Sequence, residues 1–446
     1  MDLLGQGGEL SEPFWAAHAA RLREARLVFG ERLSCPFLRP LFLDERDEAR
    51  QRAACEVMAR LGERIVGEAL ADPVLLADFG LSDAERALVE IEPGYGVAST
   101  ASRVDSFLLP DSLMFAEYNA ESPAGFGYTE VLARVFAQLP IMARFRERFR
   151  VEAYPLMDAM LDALLQSYRD WGGTAVPPRI VITDFRGVPT WNEFEILAAH
   201  FTARGVPTVI ADPRELEIAR GRLVAHGEPV DLVYRRALIT DIVARPDDTR
   251  VLVTAYRERL ACIANTLRCK IAHKKSFFAV LTDEKHAGRF TADEQAVIRA
   301  HVPWTRTVGE RRTRTSSGED VDLVEFTRRH RERLVLKPAD DFGGHGVTLG
   351  WEADAATWEA ALETALGRAP AGSWIVQERI PVRYEPFPIV ESHPHRVTTR
   401  DMLVDCAPYM FRGRVAGFLT RLSASGLANV TSGGGQVPAF RVSERD

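Results

Sequence analysis

The chain has 446 residues, of which 46% are hydrophobic and 27% charged, the balance of a soluble globular protein long enough for about two to four domains. A net charge of −7 argues against nucleic acid as the main partner, although a locally basic pocket fits within it. The start, MDLLGQGGELSEPFW, is no secretory signal, no apolar run nears the roughly 20 residues of a membrane span, and five scattered cysteines without a CxxC pair outline neither a disulfide framework nor a zinc knuckle, so a cytoplasmic protein with buried thiols is expected.

In chain order, residues 1 to about 90 read as helical, as in AACEVMARLGERIVGEALAD with its apolar residues three or four apart. After Pro93-Gly94, the stretch Ser102 to Gly125 reads as a β-hairpin loaded with polar groups. Side chains two residues apart on a strand share a face, so Arg103 goes with Asp105 and Glu117 with Asn119. A three-residue turn at Pro110, Asp111 and Ser112 places Asp105 opposite Glu117, and Arg103 opposite Asn119. Facing carboxylates repel unless a cation lies between them, and the Asn119 carbonyl adds a further hard oxygen, which outlines a magnesium site. A solvated polar face on an edge strand is the alternative.

Helices follow from Gly127 (YTEVLARVFAQLP) and across Pro155 to Trp171. Composition changes at Gly172-Gly173 and Pro177-Pro178. RIVITDF then reads as a strand, NEFEILAAHFTARG as a helix ending in glycine and VPTVIAD as a second strand, a parallel α/β unit that GRLVAHGEPVDLVYRR continues. No G-x-G-x-x-G follows the first strand, which leaves a Rossmann dinucleotide site unsupported.

Beyond residue 265 come a helix with the basic cluster RCKIAHKKSFFAVL, a charged stretch Gly309 to Glu319 expected to be an exposed loop, and RLVLKPADDFGGHGVTLGW. There Lys337 closes an apolar strand and Gly343, Gly344 and Gly346 follow in a loop that returns as a strand. Glycines let backbone amides approach phosphate and the lysine neutralises it, although a plain glycine-rich hairpin fits the same letters. A helix over Ala355 to Leu366 and the strand SWIVQERIPV come next. Gln377 and Glu378 sit late in that strand, where backbone groups left over from the ladder suit a base edge. Arg421, in the strand-like FLTRLS, reads as a phosphate-facing cation or a surface arginine.

Three elements combine: R-x-D followed by E-x-N with twelve residues from Asp105 to Glu117, the K-P-x(4)-G-G-x-G loop, and the late Gln-Glu-Arg. With them the chain, from about Pro93 onward, resembles the circularly permuted ATP-grasp proteins, such as the synthetase domains of glutathionylspermidine synthetases. In ordinary ATP-grasp enzymes the metal ligands follow the glycine loop, and here they precede it. The resemblance implies an α/β fold: a helical N-terminal region over 1–92, the metal-binding part of the ATP-grasp domain over 93–172, a parallel α/β pre-ATP-grasp domain over 173–262, and the nucleotide-binding part over 263–446.

It also implies residue roles. Asp105, Glu117 and Asn119 become ligands of magnesium, two ions in all, and Arg103 and Arg421 stabilise charge in the transition state. ATP falls to Lys275 (with Lys274 as the other register), Lys337, Gly343, Gly344, Gly346, and the hinge Gln377, Glu378, Arg379 and Ile380. Ser122 becomes a substrate contact; where the chain departs from the family, Trp191, Asn192 and Glu193 fit either substrate contacts or an exposed helix start with Trp191 as a hydrophobic staple, and Arg235 with Arg236, a further substrate contact, stands where relatives bind a polyamine and favours a carboxylate over a polycation. The activity implied is ATP-dependent carboxylate–amine ligation through an acyl phosphate. Phosphoryl transfer alone and an inactive ATP-binding partner protein are the alternatives. The partners implied are a small-molecule or peptide carboxylate and an amine, with no nucleic acid and no membrane; a homodimer is compatible with this.

Overall fold

The computed structural model describes residues 4–29, 32–341, 345–367, 372–392, 395–424 and 434–445. Its fold is mixed α/β, and three sheets position the functional residues. The first is antiparallel and six-stranded; its spine is the long strand His395–Phe411, flanked by Arg414–Ser423 on one side and by the hairpin Ala101–Leu108 and Leu113–Asn119 on the other. Helix Glu45–Ala71 packs across this sheet on its buried stripe, which includes Met58, Leu61 and Ile65. Asp44 starts that helix by accepting from the amide of Asp47, leaving the 27-residue amphipathic run to lie on the sheet.

The second sheet is parallel and four-stranded, with the spatial order Thr208–Ala211, Ile180–Thr183, Leu232–Arg235, Cys262–Ala264. Alternation along its strands feeds two cores. Ile180, Ile182, Leu232 and Tyr234 point into the largest core of the molecule, while Val181, Val233 and Ile263 point into a smaller one on the opposite face. The expected α/β unit is therefore present, but only Leu232–Arg235 of GRLVAHGEPVDLVYRR joins it. Arg222–Ala225 instead forms an antiparallel meander with Leu216–Ala219 and Glu228–Pro229, because the turns at Arg220-Gly221 and His226-Gly227, all at positive φ, fold the chain back at once.

The third sheet is antiparallel, in the order Thr305–Thr307, Trp374–Glu378, Leu334–Pro338, Thr348–Leu349. Leu334 and Leu336 pack with Trp304, Trp358 and Trp374 beneath it, so Val335 and Lys337 face the other way.

Two expectations are corrected. The N-terminal region is not helical throughout, since Leu41–Leu43 pairs in parallel with Ala439–Glu444, which also pairs antiparallel with Phe149–Glu152; three apolar residues are too few to set a period that sequence could reveal. The stretch Gly309 to Glu319 is not a plain loop, since Arg312–Arg314 pairs with Asp320–Asp322. Its alternation, with Thr313 buried between exposed arginines, is masked by the charge. All five cysteines are free and buried. Among the described residues no helix is long and apolar enough to cross a membrane.

Candidate functional site

The hairpin holds the expected pairs, Asp105 opposite Glu117 and Arg103 opposite Asn119, but reaches them by a different route. The ladder closes at Leu108 and Leu113 around a four-residue loop, in which the amide of Leu109 donates to the carbonyl of Ser112. The additional residue is taken up by a bulge at Ala116, where the register shifts between Asp105 and Ser106. Phe115 and Glu117 would share a face in a regular strand. Across the bulge Phe115 is fully buried in the core while Glu117 and Ala116 both line a cavity.

That cavity, of about 440 Å³, lies between the first sheet, on its hairpin side, and the third sheet. On the hairpin side two arginines converge on Asp105. Nε of Arg103 donates to Oδ1 at 3.0 Å, and Nη2 of Arg421 lies 2.5 Å from Oδ2. Burial alone would raise the Asp105 carboxyl, but Arg421 and Arg103 outweigh it and hold the group well below the usual carboxylate range. Asn119 donates Nδ2 to Oε1 of Glu117 at 3.2 Å, which aims the amide and the carboxylate at the same space.

Arg421 also reaches Asp405, a residue the sequence reading passed over. Nε of Arg421 donates to Oδ2 of Asp405 at 2.6 Å, and the Ser106 amide donates to Oδ1 at 3.1 Å. Burial, helped by the neighbouring Asp105 and opposed by Arg421, pushes the Asp405 carboxyl up to about 7. A signal was present: a lone aspartate within LVDCAPYMF needs a partner charge if the strand is buried, and Asp405 pairs in register with Arg421 across the ladder.

On the opposite wall Lys337 reaches from its strand to Oε1 of Gln377, 2.7 Å away, while Gln377 donates to Oγ1 of Thr305 at 3.0 Å. Burial lowers the Lys337 ammonium to about 8. Lys275 sits in the break between the short helices Cys269–His273 and Ser276–Thr282. Its Nζ donates to the carbonyl of Asp341 at 2.6 Å and lies 3.6 Å from Glu117, within the cavity wall. Lys274 turns the other way, to Glu85 at 2.9 Å and Asp340 at 3.3 Å. Val335, Leu349, Ile380 and Val382 supply an apolar slot, and Arg379 stacks over Trp351 at its side, 4.5 Å from the ring centre. Glu378 lines the same end and accepts from Ser316 at the tip of the arginine-rich ribbon, 2.6 Å away.

Gly346, at φ +69°, abuts Pro338: a Cβ there would lie 2.7 Å from its ring. Gly343 and Gly344 lie outside the described residues.

The residues expected to contact substrate do not line the cavity, and several of them hold together the loop that follows the hairpin. Ser122 donates to the carbonyl of Arg235 at 2.9 Å, Arg236 to the carbonyl of Pro123 at 3.1 Å, and Arg103 to that of Ala124 at 3.0 Å. Glu193 accepts from the amides of Gly125 and Gly127 at 2.8 and 3.0 Å, so a carboxylate from another helix caps Phe126–Ala137. Arg236 is buried, with Glu193 3.6 Å away and the Tyr234 hydroxyl at 2.9 Å. The free positive charge expected at Arg236 is therefore compensated internally. Trp191 and Asn192 are half-buried at the start of the helix Trp191–Ala203, with Arg186 over the Trp191 ring.

The donor set suits magnesium completed by a substrate rather than by the protein. Two carboxylates and an amide carbonyl are hard oxygen ligands, and among the described residues no group of three histidines, cysteines or acids closes around an ion. Lys275, Lys337 and the apolar slot match a polyphosphate carrying a planar base.

No protein-family model matches the sequence, and neither does any curated protein. Among solved structures, a glutathione synthetase-like effector from Globodera pallida in its apo form superposes with a TM-score of 0.58 at 11% identity, over 97% of this chain and 98% of that one. A gamma-glutamylcysteine synthetase-like protein from Methylobacillus flagellatus gives a TM-score of 0.42 at 13% identity, over 80% of this chain and 83% of that one, and carries no argument. At such identity the first likeness is one of fold: nearly the whole chain shares the architecture of a glutathione synthetase-like protein.

Proposed function

We propose that the protein is an ATP-dependent ligase that joins a carboxylate to an amine through an acyl phosphate, on a circularly permuted ATP-grasp framework similar to that of glutathionylspermidine synthetases. The observation that carries this reading is the meeting in one cavity of the hairpin set Arg103, Asp105, Glu117 and Asn119 with Lys275, Lys337 and Gln377. The fold likeness to a glutathione synthetase-like protein supports it.

In this reading the apolar slot and the strand end at Gln377 to Ile380 take the base, and Lys337 and Lys275 take the phosphates. Magnesium, as two ions held by Asp105, Glu117 and Asn119, would supply charge neutralisation across the phosphates. The substrate carboxylate attacks the γ-phosphorus and ADP leaves. Arg103 and Arg421 stabilise the charge that develops on the transferred group. An amine then attacks the acyl carbon, phosphate departs with the bonding pair, and the amine's proton is lost. No side-chain nucleophile takes part. Ser122, Glu193 and Arg236 act from behind by fixing the loop 122–125.

Asp105→Ala and Glu117→Ala are expected to abolish magnesium-dependent ATP turnover, since each removes a hard oxygen ligand, with circular dichroism checking that the variants remain folded. Unchanged turnover in both would remove the site. Screening amino acids and short peptides for ADP release, with inorganic phosphate and amide measured together, separates ligation from simple phosphoryl transfer, which would leave a stable phosphorylated product.

A further inference from the structure

Asp105 is expected to give an oxygen to a metal, yet guanidinium groups face both of its oxygens. A magnesium ligand must approach the ion to about 2.0–2.1 Å. With Nη2 of Arg421 only 2.5 Å from Oδ2, an ion on that oxygen would sit almost against a positive charge. One arginine has to withdraw. Arg103 is held by its second contact, Nη1 to the Ala124 carbonyl at 3.0 Å, which fixes its fork along the hairpin. Arg421 has somewhere to go. Its Nη2 is equally close to Asp105 and to Asp405, 2.5 Å from each, and its Nε already donates to Asp405. Asp405 is fully buried and is fixed through Oδ1 by the amide of Ser106, the residue after Asp105. The acceptor for the displaced arginine thus lies on the neighbouring strand and is tied by that amide to the strand of the metal ligand.

We propose that Asp405 is a positioning residue that receives Arg421 when a divalent cation takes Oδ2 of Asp105. Until then Arg421 stands in for the metal at Asp105. Once the metal is present, Asp405 would keep the guanidinium in the site through the hydrogen bond it already accepts from Arg421, where repulsion would otherwise expel it. This rests on the reading of Asp105, Glu117 and Asn119 as metal ligands. It adds a residue that touches neither metal nor nucleotide and sets how easily the metal enters.

The test is a double-mutant cycle on the binding of Mn2+ alone, followed by electron paramagnetic resonance without nucleotide. Asp405→Asn keeps an oxygen for the Ser106 amide and removes only the charge that draws Arg421 away. It is expected to weaken Mn2+ by about tenfold. Arg421→Met removes the competitor and is expected to tighten Mn2+ by about tenfold. In the Arg421→Met background, Asp405→Asn is expected to change affinity by less than about twofold, because no arginine remains to be received. Equal weakening by Asp405→Asn in both backgrounds would make Asp405 a ligand or a simple source of negative field, and the proposal would fail. Asp105→Ala separates the two layers: if it leaves Mn2+ binding intact, the metal reading itself falls, whatever Asp405 does. Should Asp405→Asn alone not fold, the comparison of Arg421→Met with the double variant still decides, since a loss between them overturns the proposal and equality upholds it.

Discussion

Lys337 is the residue whose environment makes the sharpest statement about solution behaviour. Burial draws its ammonium down to about 8, whereas a free lysine titrates at about 10.4. Between those values the unfolded chain holds a proton that the folded chain has released, so this group's contribution to stability rises with pH across the window. Phosphate binding runs the other way, because it needs the charged form. ATP affinity is expected to fall several-fold, roughly in proportion to the lost charge, as pH rises from about 7 to 9. Lys337→Arg, which stays charged, should flatten that slope. Calorimetry in two buffers of different ionisation heat would register proton uptake on ATP binding near pH 8.5 for the native protein and none for the arginine variant. At this scale the sequence was informative wherever a residue belonged to a local pattern. Arg103, Asp105, Glu117 and Asn119 were legible because strand alternation puts them on one face. Asp405 was legible only as a lone aspartate in an apolar strand that calls for a partner charge; that the partner is Arg421 depends on a ladder that the sequence does not display. The choice of Lys275 over Lys274 depends on a break between two short helices, which propensity alone does not place.

At the scale of elements, the hairpin works because one extra residue sits in the strand and not in the turn. The expectation of a three-residue turn gave the right facing pairs with the wrong loop, since loop and bulge compensate one another. The bulge lets a core phenylalanine and a cavity carboxylate stand two positions apart. An alanine inserted between Glu117 and Tyr118 would turn Asn119 toward the core and Tyr118 outward. Magnesium-dependent turnover is expected to drop by more than about a hundredfold in that variant. The same insertion between Asp111 and Ser112, outside the ladder, should leave turnover within about twofold. Equal loss in both would mean that the loop, through its contacts with Arg50, sets the register. Elements with a strong period of their own were readable in advance, among them the helix Ala355–Leu366 and the strand Trp374–Glu378. The ribbon Arg312–Arg314 with Asp320–Asp322 was not, because exposed charges conceal a two-residue alternation.

Across the whole molecule, a buried chain of charges ties the hairpin to the parallel sheet and to the root of the glycine loop. Glu121 pairs with Arg235 at 3.0 Å, Lys270 lies 3.6 Å from Glu121, and Lys270 donates to Asp340 at 2.8 Å. The side chains of Glu121 and Arg235 are 1% and 0% exposed, so neither finds water if the other loses its charge. Glu121→Gln is expected to cost about 3 kcal/mol by leaving that arginine uncompensated. Because the network spans three elements, urea unfolding followed by circular dichroism and by tryptophan fluorescence should shift together, three of the chain's seven tryptophans, Trp304, Trp358 and Trp374, lying under the third sheet. A shift confined to one probe would show that the network does not couple those parts. The overall architecture was legible as an alternation of helical, hairpin and α/β segments; how they close on one another was not, since that is written in pairings between residues hundreds of positions apart.

The pairing of Leu41–Leu43 with Ala439–Glu444 gives that distance a cost in time. On a ribosome, the early strand must wait while about 400 residues emerge before its neighbour exists. Asp105 waits in the same way for Arg421. An early strand edge of Leu, Phe and Leu stays without its partner through most of synthesis, a state open to aggregation and to chaperones. In a nascent chain released before residue 421, both Asp105 and Asp405 would be left without the guanidinium they share.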